Sequence, residues 1–225
     1  MTNQKELWDA EYLSKGLPTS YRNEPSRGAL VLVEFLKRKN IPISGKLLDL
    51  GCGAGRNGVY FARLGFEVYG MDNSENALQQ FRERIEASGM HDRIKLFGKS
   101  ISERFPFPDR YFDIEFDGIA FCHLTENKDR EIFKKELLRV LKHSGYFLSY
   151  VLAKDYGNIS KLQDENGIYT NSVNKTMGKL YSEGELIEFF SPEFECISSE
   201  NIKKEEVIHG EKFLGSLIVA IFQKK

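Results

Sequence analysis

The sequence predicts an α/β domain: a seven-stranded, mostly parallel sheet covered by helices on both faces and closed by an antiparallel pair of strands. Three observations predict it. Apolar strand-like runs and amphipathic helical stretches alternate from about residue 46 to residue 152, the pattern of successive crossover units in a parallel sheet. A glycine-dense turn, Gly51-Cys52-Gly53-Ala54-Gly55, follows the first of these strands and opens a helix. The last two apolar runs, about 194–202 and 213–223, have only a turn between them around His209–Gly210 and can pair antiparallel.

The elements follow in order. Residues 5–14 read as a short helix bearing Trp8, Tyr12 and Leu13, and residues 16–23 as a loop. Pro25 opens a second helix that runs to about Lys39, proline being favoured at the first helical position. The stretch from Leu47 to Asp72, LLDLGCGAGRNGVYFARLGFEVYGMD, gives a strand at 46–50, a helix at about 55–64 stopped by Gly65, and a strand at 66–71. A helix over 74–88 places Ala77, Leu78, Phe81 and Ile85 on one face. The third strand is 93–97. Pro106 and Pro108 mark a loop before the fourth strand at 111–117. A helix over 129–142 turns Ile132, Phe133, Leu137, Val140 and Leu141 inward, with Gly145 just past its end and a fifth strand at 146–152. Residues 154–180 are polar and read as irregular, longer than the usual connection. Ser182 and Glu185 form a capping box for a helix ending near Phe190.

Bulk composition narrows the function. A length of 225 residues suits one domain with a sizeable core, and neither a repeat nor a linker divides it. Lys plus Arg is 32 and Asp plus Glu is 33, so no basic excess draws the chain to nucleic acid. The first residues, MTNQKELWDAEY, are too polar for a signal peptide, and no apolar run approaches the roughly 18 residues of a membrane span. The three cysteines, Cys52, Cys122 and Cys196, are far apart and form no C-x-x-C pair, which points to a reducing cytoplasm. The four histidines show no metal-ligand spacing, so no catalytic metal is expected.

The glycine turn is the most informative feature. A dinucleotide fingerprint spaces its glycines G-x-G-x-x-G so that a pyrophosphate can rest on the helix N-terminus. Here the glycines are Gly51, Gly53 and Gly55, and the sixth position is Arg56, so that pattern fails. What remains is an acid, Asp49, ending the first strand, and a second acid, Asp72, closing the next. Asp72 has two readings: it accepts hydrogen bonds from a ligand's ribose, or it caps the following helix with Glu75 three residues on.

The phrase LDLGCGAG, with the later FPFPDRYFDIEFDGIAFCHL, resembles the class I S-adenosylmethionine-dependent methyltransferases over about residues 40–150 and more loosely to the end. The Trp8/Tyr12 helix and the phrase YRNEPS are similar to the small-molecule members, of which the tellurite-resistance and thiopurine type is nearest. The resemblance implies a Rossmann-like sheet, S-adenosylmethionine as cofactor, and methyl transfer to a small molecule without nucleic-acid or membrane partners. It sets Asp49, Gly51, Cys52, Gly53, Gly55, Asp72, Asn73, Ser100, Ile101 and Asp117 along the cofactor, with Asp49 near its ammonium group and Asp72 at its ribose. It makes residues 1–40 lid helices and 154–180 an insertion beside the acceptor. One departure stands out: Gly98-Lys99-Ser100-Ile101 replaces the acid that family members often offer to adenine, leaving Ser100 or backbone to that task.

Methyl transfer from a sulfonium is an in-line displacement with a neutral leaving group, so alignment and exclusion of water can supply most of the catalysis. Trp8, Tyr12, Tyr21 and Phe121 offer aromatic faces to a cation or are ordinary core residues. Tyr156 and Tyr169 belong to the candidate acceptor cover. His123 is a candidate base for a weakly nucleophilic acceptor or a structural contact. Asp117 faces the cofactor amine or acceptor, or satisfies a turn. Cys52 and Cys122 have nothing beside them to activate a nucleophile. Two rival readings stay open. An aminopropyl or related transferase would use Asp113, Glu115 and Asp117, which alternation sends to one face of the strand, as an acidic pocket. A non-catalytic binding module would keep the fold, with or without the cofactor.

Overall fold

A computed structural model describes residues 4–17, 20, 22–157, 159–208 and 211–225. Seven strands form one sheet in the order β3-β2-β1-β4-β5-β9-β8. They are β1 (Lys46–Leu50), β2 (Glu67–Asp72), β3 (Ile94–Gly98), β4 (Phe112–Gly118), β5 (Leu141–Leu152), β8 (Phe194–Ile208) and β9 (Glu211–Lys224). The first five run parallel, and β9 pairs antiparallel with both β5 and β8. The order reverses between β1 and β4, so the crevice of this open sheet lies beyond the carboxyl ends of those two strands.

The helices are α1 (Gln4–Ser14), α2 (Arg27–Arg38), α3 (Arg56–Leu64), α4 (Glu75–Ser88), α5 (Asn127–Val140) and α6 (Glu183–Phe190). Buried on both faces, β1 reads KLLDL and is covered at four of its five positions. On one face Phe61 of α3 meets Phe116 of β4 at 5.1 Å, and Phe35 of α2 meets Tyr146 of β5 at 5.4 Å. On the other, Phe147 of β5 lies 5.1 Å from Phe190 of α6 and 6.2 Å from Phe133 of α5. Each such ring contributes roughly 2–3 kcal/mol through burial. The Ser182/Glu185 capping box is formed as the sequence indicates.

Three local readings are corrected. Helix α2 begins at Arg27, two residues later than Pro25: Ser26 is its N-cap, accepting from the Ala29 N–H, and Pro25 stands outside. Helix α5 stops at Val140, before Gly145, because Leu141 enters the sheet opposite Phe112 and the register slips before Ile114 pairs with Tyr146. The 154–180 stretch is not irregular throughout. It folds a short antiparallel hairpin, β6 (Ile168–Thr170) with β7 (Met177–Lys179), and buries Tyr169. The His209–Gly210 turn lies outside the described residues, as does Tyr21.

Candidate functional site

Loops leaving the carboxyl ends of β1, β2 and β4 converge on the crevice. The Asp72 carboxylate accepts the Gly53 N–H at 2.9 Å with one oxygen and the Ser74 N–H at 2.8 Å with the other. It therefore ties the glycine turn to the loop after β2. The cap of α4 is not Asp72 but Ser74, whose hydroxyl accepts the Ala77 N–H. Asp72, Asn73, Gly51, Ser100 and Ile101 line a cavity of about 680 Å³. At its far end the Ser100 and Ser102 hydroxyls are 2.8 Å apart.

Asp49 lies beneath this floor, 1% exposed, with its Oδ2 lacking a hydrogen-bond partner. Burial, reinforced by the nearby Asp72 and Asp117 carboxyls, pushes its pKa up to about 8, against the opposing pull of Arg56.

Helix α1 covers the cavity. A side chain at Gly53, where φ is +54°, would collide with the Tyr12 hydroxyl, and one at Gly51 would collide with Ala120. Asp9 holds α1 against the start of α4: its carboxylate accepts the Ser74 hydroxyl at 2.7 Å, and its carbonyl accepts the Asn76 amide at 3.0 Å. Gln80 donates to the Tyr12 carbonyl at 2.6 Å. Burial opposes the Asp9 charge, but donors from Lys5 and Ser74 outweigh it and hold the carboxyl below its ordinary range. Helix α1 also reaches the β6–β7 hairpin, where Asn174 donates to Glu11 at 3.1 Å and the Met177 N–H to Gln4 at 3.2 Å.

A second cavity of about 1040 Å³ adjoins the first, and Trp8, Ile119 and His123 line both. Ile119 has a φ of +73°, a costly conformation for a β-branched residue, and its N–H donates to the Tyr150 carbonyl at 2.8 Å. The turn that sets it there is held by Asp117. One Asp117 oxygen accepts the Ala120 and Phe121 N–H groups at 2.8 and 2.9 Å, and the other accepts the Ser149 hydroxyl at 2.9 Å. His123 Nδ1 lies 2.8 Å from the Met177 carbonyl, which only accepts, so Nδ1 carries the proton and Nε2 is left as the acceptor. Burial lowers the His123 pKa, and the ring packs edge-on against Trp8 at 4.7 Å.

The structure thus gathers Gly51, Asp72, Asn73, Ser100, Ile101, Tyr12, Trp8 and His123 around the first cavity, and Tyr156 and Tyr169 around the second. Other candidates do not reach either one. Asp117 is fully buried and spent on its turn; burial pushes its pKa up to about 6 despite its three donors. Phe121 is a core ring, stacked on Phe133 at 5.1 Å. Asp49 and Gly53 line neither cavity, Cys52 is buried under the glycine turn, and Gly55 serves as the left-handed cap of α3 against Phe81. The three acids of β4 form no pocket: Asp113 accepts from the Lys46 N–H at 2.9 Å and Lys142 at 2.6 Å, while Glu115 is wholly buried without a partner. Sequence reasoning missed Ile119, Glu11 and Asp9, whose roles depend on chain crossings. It also missed Leu217 and Phe213, which the long closing strands carry into the second cavity. Among the described residues no group of three or more His, Cys, Asp or Glu could hold a metal ion, and no helix is long and apolar enough to cross a membrane.

Residues 48–149 match the family model of a methyltransferase domain. The matched residues carry the glycine turn and most of the parallel sheet, and over them the chain is similar to the S-adenosylmethionine-dependent methyltransferases. The chain is 29% identical over 129 residues to methyltransferase GfsG of Streptomyces halstedii, covering 57% of this chain and 45% of that one. It is 32% identical over 115 residues to the demethylmenaquinone methyltransferase of Geobacillus stearothermophilus, covering 50% and 47%. The chain thus spans about half the length of these curated relatives. Its fold superposes on the Burkholderia thailandensis 1,6-didemethyltoxoflavin-N1-methyltransferase, solved with 1,6-didemethyltoxoflavin and S-adenosylhomocysteine bound. The TM-score is 0.68 at 18% identity, covering 100% of this chain and 92% of that one.

Proposed function

We propose that the chain transfers a methyl group from S-adenosylmethionine to a small-molecule acceptor, with the cofactor in the 680 Å³ cavity and the acceptor in the 1040 Å³ cavity. The observation that carries this reading is their meeting at Trp8, Ile119 and His123, which gives donor and acceptor one point of contact. The residues fit the cofactor. The buried Asp49 carboxyl lies beneath the floor and lines neither cavity, so it would act on an ammonium group through its field or through water. Asp72 keeps acceptor capacity for ribose hydroxyls while it ties two loops. Ser100 and the backbone beside it serve the adenine end. When bound, the cofactor supplies an activated methyl group on a sulfonium. Trp8 and Tyr12 present aromatic faces to positive charge, and α1 with the hairpin keeps water out. His123 is neutral at pH 7, and its Nε2 is the proton acceptor for an acceptor that needs one.

The near-zero net charge favours a small molecule over nucleic acid or a membrane surface. Buried Cys52 and Cys122 thiols suit a reducing cytoplasm. Residues 1–225 act as one unit in this reading, with 1–40 as the cofactor lid and 154–180 as the acceptor cover. Calorimetry with S-adenosylmethionine and S-adenosylhomocysteine tests the assignment, and failure of both to bind would sink it. Transfer of a tritiated methyl group, rather than an aminopropyl group, separates it from the aminopropyl reading, which the dispersed acids of β4 do not favour.

A further inference from the structure

Resting on that reading of the second cavity, we propose that Arg56 is its anion-recognising side chain. The acceptor is then a small molecule with an apolar body and an oxyanion group such as a carboxylate. The cavity has strongly uneven chemistry. Its body is apolar and aromatic, with Leu30, Leu152, Tyr156, Tyr169, Phe213 and Leu217 in the wall. Its charged lining is Arg22, Arg27, Arg56, Lys203 and Lys204 against Glu24, the one carboxylate among the described residues that line it. Two of these cations are neutralised elsewhere: Arg27 pairs with Glu34 at 3.3 Å and Lys203 with Asp155 at 2.7 Å.

Arg56 is different. It is the first residue of α3, held at the mouth of the glycine turn, half-buried, and without a hydrogen-bond or ion-pair partner among the described residues. The ionisable side chains that act on it from nearby are Arg22 and Arg84, of its own sign, and Tyr12 and Tyr150. Asp49 feels its field, but its Oδ2 has no hydrogen-bond partner and the two side chains form no ion pair. Burial and those arginines lower the Arg56 pKa, which marks an uncompensated cation. A half-buried guanidinium without a partner has lost hydration that a partner would replace, and its planar fork matches an oxyanion in a bidentate way that no neutral acceptor reproduces. It lines the acceptor cavity and not the cofactor cavity, so the anion it awaits belongs to the acceptor.

The test uses paired probes on the purified full chain, with and without S-adenosylhomocysteine: 4-phenylbutyrate against 4-phenylbutyramide, and decanoate against decanamide, by calorimetry. The carboxylates should bind about ten-fold tighter than their amides, the scale of a charge-assisted hydrogen bond. Arg56→Gln should bring each pair within about two-fold, and Arg56→Lys should retain part of the preference because it keeps the charge and loses the fork. Equal affinity within each pair, or no binding of the carboxylates at millimolar concentration, would overturn the proposal; the wild-type comparison does not depend on any variant folding. So would an Arg56→Gln protein that lost S-adenosylhomocysteine affinity yet kept the carboxylate preference, since Arg56 would then serve the cofactor's own carboxylate. S-adenosylhomocysteine binding to the wild type, measured on the same sample, reports the methyltransferase reading separately.

Discussion

Replacing Asp49 by Asn should change how the stability of the protein depends on pH. Asp49 is 1% exposed and has an unpartnered oxygen, and burial raises its pKa from the ordinary 3.8 to about 8. Between those two values the folded state holds a proton that the unfolded chain has lost, so stability falls as pH rises through that window. At about 1.36 kcal/mol for each pH unit, the loss from this one group between pH 4 and 8 is on the order of 4 kcal/mol. That is a large part of the 5–15 kcal/mol typical of a domain. Asn at the same site cannot ionise. Urea unfolding of the two proteins at intervals from pH 4 to 8 should give curves that converge on the acid side and diverge steadily toward pH 8, the wild type falling faster. The raised carboxyl of Glu115 tilts both curves alike, whereas Asp72 and Asp117 interact with Asp49, so the difference reports Asp49 together with its coupling to those two acids. Parallel curves would refute the reasoning. The same logic predicts up to about one proton released when S-adenosylhomocysteine binds near pH 7, because its ammonium favours the ionised acid. Calorimetry in buffers of different ionisation enthalpy should show that release in the wild type and lose it in Asp49→Asn.

The other predictions concern α1, His123 and α6. Asp9→Ala removes the acceptor for the Ser74 hydroxyl and should loosen α1; hydrogen exchange over residues 4–14 should speed up while the sheet stays protected. Gly53→Ala should displace α1 through the Tyr12 hydroxyl and weaken S-adenosylhomocysteine binding at least ten-fold, and Tyr12→Phe in the same protein should restore part of it. Trp8 is the only tryptophan, so its fluorescence reports both events. Because burial lowers the His123 pKa, its charge appears only below the ordinary 6.5; an activity that uses Nε2 should be flat above that pH and fall below it, and His123→Gln should abolish the acid limb. Ser182→Ala breaks the capping box and should cost about 1 kcal/mol by urea unfolding.

The frame of the fold was legible because its signals are local. β1, the glycine turn, α3 and β2 follow from an apolar run, three glycines and a closing acid, all within one stretch of chain. The end of α5 was not legible, since Gly145 looks like a stop just past residue 142 while the pairing of Leu141 with Phe112, set by another strand, ends the helix at Val140, two residues sooner. The β6–β7 hairpin has strands of three residues, too short to show alternation. Of the glycine-turn candidates only Gly51 lines the cavity, with Asp72 and Asn73 at the end of β2. Sequence reasoning misplaced Asp117 and Phe121, because the order of residues does not say whether a side chain at a strand end faces the cleft or the helix layer. Alternation correctly put Asp113, Glu115 and Asp117 on one face. At about 3.3 Å per residue, however, the first and last stand roughly 13 Å apart along β4, too far to make one pocket. The second cavity draws on α2, β5, the hairpin and β9, and no local pattern could have assembled it.

The central claim is that the crevice beyond β1 and β4 is built for S-adenosylmethionine. Titration of the purified chain with S-adenosylhomocysteine, followed by calorimetry and by Trp8 fluorescence, tests it most directly. One molecule should bind per chain with a change in Trp8 emission, and Asp72→Ala should weaken that binding at least ten-fold. No heat and no change in emission with either the methyl donor or its product would contradict it.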